Sequence, residues 1–349
     1  MKKAMENKTD NRLFVGRAAV GIYLILKHAV KKTGPVIVPA NICYAGVYPV
    51  LYAGMRVRFC DVDPVSGNAT AETFSSAAGH DTVAAVVPHM YGNPVGDLAE
   101  IASFCSERGI LLIEDCASAM GAETNRYALG EQGDYAVYST GYSKTVDLGF
   151  GGYVVGKNDI LGLETAEKLL PRRSGGRELA LFSKLYRVLR NEGRGTKLER
   201  VIYDELQNAC RDEFIFSISD TERAFLRKGL ENADAVIRLR REALKYYEKV
   251  LVQHSAAFYP FSEGAVPWRF CMLISDSEKK SAIIRRCLAE GLPVSDWYPN
   301  VTYLFGDEGD YPGADLHETQ IINFPLLLSD GEKDRICSVI NEVLNENNA

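Results

Sequence analysis

Six short apolar runs recur through the first half of the chain, at 36–38, 57–60, 83–87, 110–114, 135–138 and 152–155, and they are rich in Val, Ile and Tyr. Segments with helical patterning separate several of them, at 45–53, 97–108 and 158–170. A strand with one wet face alternates apolar with polar residues. These runs are apolar nearly throughout, so both faces of the sheet they form need cover. The pattern predicts an α/β fold, a mostly parallel sheet flanked by helices. The last third reads differently, with a strand at 269–274, helices at 277–290 and 330–345, and a long helix before them at 221–251. That predicts a large domain over 1–220, then a connecting helix and a smaller α+β domain over 221–349. With 349 residues and 46% hydrophobic composition the chain can bury two such cores without disulfide or metal staples.

Charge separates the chain into unequal parts. The 40 Lys plus Arg against 46 Asp plus Glu leave a net of -6, which argues against a nucleic-acid-binding protein. Residues 172–200 nevertheless hold nine basic side chains against three Glu, a local +6, so the rest carries -12. Leu181, Leu185, Val188 and Leu189 recur there at helical spacing, predicting a basic amphipathic helical insertion near 165–215. A solvated face with ion pairs is the plain reading of that segment; a seat for a diphosphate, or contact with an anionic membrane surface, are the others. The eight cysteines show no metal-ligand or redox spacing, so reduced thiols and no metal are expected. The first ten residues lack a signal-peptide apolar stretch, which points to a cytoplasmic protein.

The chemistry-bearing candidates lie close to the predicted strand ends. Glu114-Asp115 ends one apolar run, and Ser139 to Lys144 follows another, with Gly149-Phe150-Gly151-Gly152 just beyond. In open α/β sheets the ligand crevice lies outside the carboxyl ends of the strands. An amine and a carboxylate meeting there suit pyridoxal phosphate chemistry, in which a lysine forms a Schiff base and a carboxylate keeps the pyridine nitrogen protonated. Taken singly, the acid also reads as a helix cap and the lysine as a solvated charge.

Along most of its length the chain resembles the nucleotide-sugar aminotransferases of the StrS/DegT type, a branch of the fold-type I pyridoxal phosphate enzymes. The resemblance is carried by Gly16-Arg17-Ala18-Ala19, Val38-Pro39, Ala53-Gly54, Asp61-Val62-Asp63 and Pro88-His89-Met90-Tyr91-Gly92. It continues through Glu114-Asp115, Ser139 to Lys144, Gly291-Leu292-Pro293, Trp297-Tyr298-Pro299 and Phe324-Pro325. It implies a fold-type I architecture with pyridoxal 5'-phosphate held in the large domain. Lys144 is implied as the Schiff-base lysine and proton shuttle, Asp115 as the partner of the ring nitrogen, and Ser139 as a ligand of the phosphate. Gly16, Arg17 and Ala18 open a helix whose free N–H groups suit that same phosphate. Ser118 falls where relatives carry His or Gln near the cofactor, and Cys43 falls where they place an aromatic against the ring; Tyr44 or Asn41 are the candidates to compensate. His89, Tyr91 and Tyr298 are the substrate candidates, with a structural role for His89 equally open. At 214–221 the chain keeps only the position of a polar family motif that faces the partner subunit.

The function implied is amino transfer, with glutamate as donor, to a keto group of a nucleotide-activated sugar for cell-surface polysaccharide or secondary-metabolite synthesis, by a homodimer. Lys144 favours this over the dehydratase side branch, which carries His at that position. A non-nucleotide substrate, or a binding or regulatory protein on the same fold, are the rival readings.

Overall fold

The computed structural model describes residues 11–157, 160–173, 205 and 208–346. The predicted helix inside the basic segment 172–200 lies almost wholly outside the described residues. A seven-stranded sheet organises the chain as far as residue 156. Its strands are β1 (Leu13–Val15), β2 (Pro35–Pro39), β3 (Arg56–Cys60), β4 (Ala84–Pro88), β5 (Leu111–Asp115), β6 (Tyr135–Ser139) and β7 (Gly152–Gly156), in the spatial order β1-β7-β6-β5-β4-β2-β3. Neighbours from β3 through β6 are parallel, whereas β7 runs antiparallel to both β6 and β1.

Alternation along the strands explains why all six apolar runs needed cover. Val36, Val38, Val86 and Ile113 face one side, where they pack with α1 (Ala18–His28) and α2 (Tyr44–Tyr52) through Ile22, Leu26, Val47 and Tyr48. Ile37, Ala85, Val87 and Leu112 face the other side, against Phe74 of α3 (Ala71–Ala77) and Leu98, Ile101 and Cys105 of α4 (Leu98–Arg108). Each fully buried branched side chain contributes about 1.5–3 kcal/mol relative to exposure, so the two-faced burial dominates the stability of this sheet. The predicted α/β architecture, a mostly parallel sheet with helices on both faces, is therefore the one observed.

Helix α5 (Leu161–Lys168) follows the sheet, then the short α6 (Arg211–Phe214). The helix expected as one piece over 221–251 is two, α7 (Asp220–Gly229) and α8 (Ala233–Val250), joined by a 3-10 turn at Leu230–Asn232. Gly229 closes α7 with helical φ and ψ. Gly229 packs so tightly on Leu148 that a Cβ there would lie 2.4 Å from Leu148 Cδ1, and glycine is a poor helix former. A separate antiparallel pair, β8 (Phe270–Leu273) with β9 (Ile321–Phe324), completes the strands. It packs with α8, α9 (Ser277–Ala289) and α11 (Asp330–Asn345) through Tyr247, Ile283, Ile336 and Ile340. α10 (Pro312–Gln320) precedes β9. No described helix is long and apolar enough to cross a membrane.

Candidate active site

Four loops leave the carboxyl ends of β2, β4, β5 and β6, and strand order turns around β2, whose neighbours are β3 on one side and β4 on the other. This is the edge of an open sheet where a crevice forms. Asp115 is the last residue of β5, in register with Pro88 of β4 and Val137 of β6. Its Oδ1 accepts the Ala117 N–H at 2.9 Å. Burial raises the pKa of this carboxyl, against the opposing pull of that N–H and of Lys144.

Lys144 lies in the loop after β6, half-buried, and its Nζ donates to Ser118 Oγ at 3.1 Å. Burial disfavours its ammonium form, but the Tyr298 hydroxyl, the Cys43 thiol and the Asp115 carboxylate outweigh this and hold it above the ordinary lysine value. The Tyr298 hydroxyl reaches both Lys144 and Ser118. Burial pushes the pKa of the Cys43 thiol up, with the charge of Lys144 opposing. Residues spaced across 43, 115, 118, 144 and 298 thus converge on one amine.

A second group gathers at the start of α1. Arg17 is its N-cap, and no side chain caps the helix. Gly151 donates its N–H to the Gly16 carbonyl at 2.9 Å, while Gly152 of β7 lies opposite Ser139 of β6, so Ser139 and the Gly16-Arg17-Ala18 turn flank one strand end. The Arg17 guanidinium lies 5.4 Å from the Phe214 ring centroid, and no carboxylate is within ion-pair distance of it among the described residues. Burial lowers its pKa, and the nearby charge of Arg173 adds to this. A cation with no ion pair among the described residues, beside an uncapped helix N-terminus, suits an anion of phosphate type. The donor set therefore fits pyridoxal phosphate: an amine, a half-buried carboxylate whose Oδ1 accepts the Ala117 N–H, and cationic and N–H groups for the phosphate end.

Other candidates are occupied otherwise. His89 is buried; its Nδ1 accepts the Val95 N–H at 3.1 Å, so Nε2 carries the hydrogen and donates to Glu114 Oε2 at 3.3 Å. Glu114 also accepts the N–H groups of Gly130, Gln132 and Gly133 at 2.6–2.7 Å. His89, Glu114 and Cys116 bring ligand atoms within 4.8 Å of one another, yet the histidine and the carboxylate are taken up by these bonds. Both ring nitrogens of His89 are thus engaged within the fold, by Val95 and Glu114. Tyr91 is likewise buried, accepting the Tyr298 N–H at 2.9 Å and lying 3.0 Å from His317 Nε2, which places it behind Tyr298. Tyr44 packs against Tyr48, Phe214 and Trp297. Asn41 donates to the Gly67 carbonyl at 2.8 Å, away from the lysine's contacts.

The family model for the DegT/DnrJ/EryC1/StrS aminotransferases matches residues 10–342. The chain belongs to this aminotransferase family. Within it, the chain is 26% identical over 341 residues to the UDP-N-acetyl-3-dehydro-alpha-D-glucosamine 3-aminotransferase of Acidithiobacillus ferrooxidans, covering 95% of this chain and 84% of that protein. It is 29% identical over 155 residues to GDP-perosamine synthase of Vibrio cholerae, covering 44% of this chain and 42% of that protein. The first curated relatives are matched over less than half of their own length. Among solved structures, the aminotransferase TlmJ from Streptoalloteichus hindustanus superposes with a TM-score of 0.75 at 24% identity, over 96% of this chain and 86% of that one. The DegT/StrS-type fold is thereby the one expected from the sequence.

Sequence reasoning missed Arg240, Trp268, Arg269 and His317, all of which touch the lysine loop or the residues behind it. Arg240 had a legible signal. It falls between Ala233, Ile237, Ala243 and Tyr247 on the buried stripe of α8, where a charged residue is out of pattern.

Proposed function

We propose that this member of the DegT/StrS family is a pyridoxal phosphate-dependent aminotransferase that moves an amino group, with glutamate as donor, onto the keto group of a nucleotide-linked sugar. The observation that carries the reading is the convergence of Lys144, Asp115, Ser118 and Tyr298 at the strand ends beside an uncapped helix N-terminus. Pyridoxal phosphate supplies, when bound, an aldehyde that takes an amine covalently and a ring that accepts its electrons. Lys144 is the amine that holds it and then moves the proton at the substrate carbon. Asp115 would pair with the ring nitrogen of the bound cofactor and favour its protonated form. Ser139, Arg17 and the N–H groups at Gly16 and Ala18 would hold the phosphate of the bound cofactor. Ser118 and Tyr298 keep the lysine amine oriented through their hydroxyls, and Cys43 or Tyr44 would cover the cofactor ring. A homodimer, with residues 1–220 as the cofactor-binding unit and 221–349 as the smaller one, completes the proposal.

The test is chemical trapping. Protein loaded with pyridoxal phosphate is expected to turn yellow, to carry cofactor on Lys144 after borohydride reduction, and to aminate a keto-sugar nucleotide in a glutamate-dependent way. Lys144→Ala should lose the covalent adduct and at least about a hundredfold of turnover. An adduct elsewhere, or unaltered turnover in the variant, overturns the reading.

A further inference from the structure

The loop that bears Lys144 has little regular hydrogen bonding of its own. Lys144 N–H bonds to the Gly141 carbonyl at 3.2 Å, and Ser143 adopts a left-handed φ of +61°, a region that non-glycine residues occupy at a cost. The carbonyls of Ser143, Lys144 and Thr145 are therefore left to partners far away in sequence. Arg240 of α8 donates Nη2 to the Lys144 carbonyl at 2.7 Å and Nε to the Thr145 carbonyl at 3.0 Å. Its Nη1 donates to the Trp268 carbonyl at 2.8 Å, and Trp268 Nε1 in turn donates to the Ser143 carbonyl at 2.5 Å. Arg269 adds a bond from Nη2 to Ser143 Oγ at 3.1 Å.

Arg240 is 7% exposed and has no ion-pair partner among the described residues. A buried guanidinium normally meets a carboxylate. Here its donors are spent on three carbonyls, two of them belonging to the proposed Schiff-base residue and its neighbour. Arginine's planar fork suits this, because several N–H groups in fixed directions can bracket adjacent carbonyls where an ammonium acts from one point.

We propose that Arg240, seconded by Trp268, is the positioning residue for Lys144: it clamps the backbone on both sides of the lysine and so sets where the amine sits. The inference rests on the proposed role of Lys144. Through the clamp, the lysine's position depends on how α8 and the segment before β8 pack against the loop. A purely structural arginine would alter only how much protein folds.

Arg240→Lys keeps the charge and removes the fork. The first measurement uses cofactor-free protein: acylation of Lys144 by a limiting amine-reactive reagent, followed by mass spectrometry across pH. The variant is expected to change Lys144 reactivity at least about threefold while the other lysines keep theirs. Once pyridoxal phosphate is added, yellow absorbance should appear more slowly. Turnover per borohydride-trapped site should fall by roughly tenfold to a hundredfold, as misplacement by about an ångström does, with little change in KM. If Arg240→Lys lowers only the melting temperature and the trapped fraction, and leaves Lys144 reactivity and turnover per trapped site intact, the proposal is wrong. Should that variant not fold, Trp268→Phe removes a single donor to Ser143 and should move the same readouts in the same direction by a smaller factor; no movement also overturns it. Wild-type protein that traps no cofactor sinks the proposed function alone, since the acylation comparison still decides the clamp.

Discussion

Acidification should destabilise this protein through one buried ring. His317 on α10 lies with Nδ1 2.8 Å from the Pro64 carbonyl and Nε2 3.0 Å from Tyr91 Oη. A carbonyl only accepts, so Nδ1 carries the hydrogen and Nε2 accepts from the Tyr91 hydroxyl. Burial pushes the ring's pKa down to about 4; the Pro64 carbonyl and Asp63 oppose this and Lys280 adds to it. In the unfolded chain a histidine titrates near 6.5. Between those values the unfolded state holds a proton that the folded state refuses, so stability is full above about pH 6.5, falls as pH drops toward 4, and levels off below. Integrated to pH 4.5, the loss is about 2.5 kcal/mol. His317→Gln abolishes the titration while keeping a side chain that can hydrogen-bond. Urea unfolding of both proteins at pH 7 and at pH 4.5 isolates the ring, because every other group titrates alike in the two. The stability difference between wild type and variant should narrow by about 2.5 kcal/mol on going to the lower pH. A difference that stays the same at both pH values would refute the reasoning, since the ring would then accept its proton equally in both states.

Two further outcomes follow from the geometry of the site loops. Gly92 has φ +87°, and a Cβ there would lie 1.9 Å from the Val266 carbonyl oxygen and 3.0 Å from that of Ser118, so Gly92→Ala should cost roughly 3 kcal/mol or more, read from thermal or urea unfolding. Asp115→Asn keeps an oxygen for the Ala117 N–H but removes the charge; cofactor affinity and turnover should both fall, turnover by about a hundredfold, and a near-normal rate would remove Asp115 from the ring-nitrogen role.

Much of the sheet was readable because strand burial writes itself into local composition. Six of the seven sheet strands lie on the apolar runs, within a residue or so at each end. β1 escaped because three residues are too few to show a period, and its place beside β7 depends on pairing across more than a hundred residues. The break between α7 and α8 also escaped, since a single Gly229 in a helical stretch marks no boundary by itself.

Which residues gather at the candidate site was also partly legible. Lys144 and Asp115 lie at or just after apolar runs, and the rule that crevices open at strand ends pointed them to one crevice, while Ser139 was added by the family resemblance. Their company was not. That Ser118 and Tyr298 meet on the lysine amine, that His89 is spent on Glu114, and that Arg240 grips the lysine's backbone depend on contacts between residues 25 to 180 positions apart. Local pattern reports which side chains must be buried, since burial acts residue by residue. It does not report which buried polar groups satisfy one another, because a hydrogen bond is directional and its partner is chosen by the packed chain.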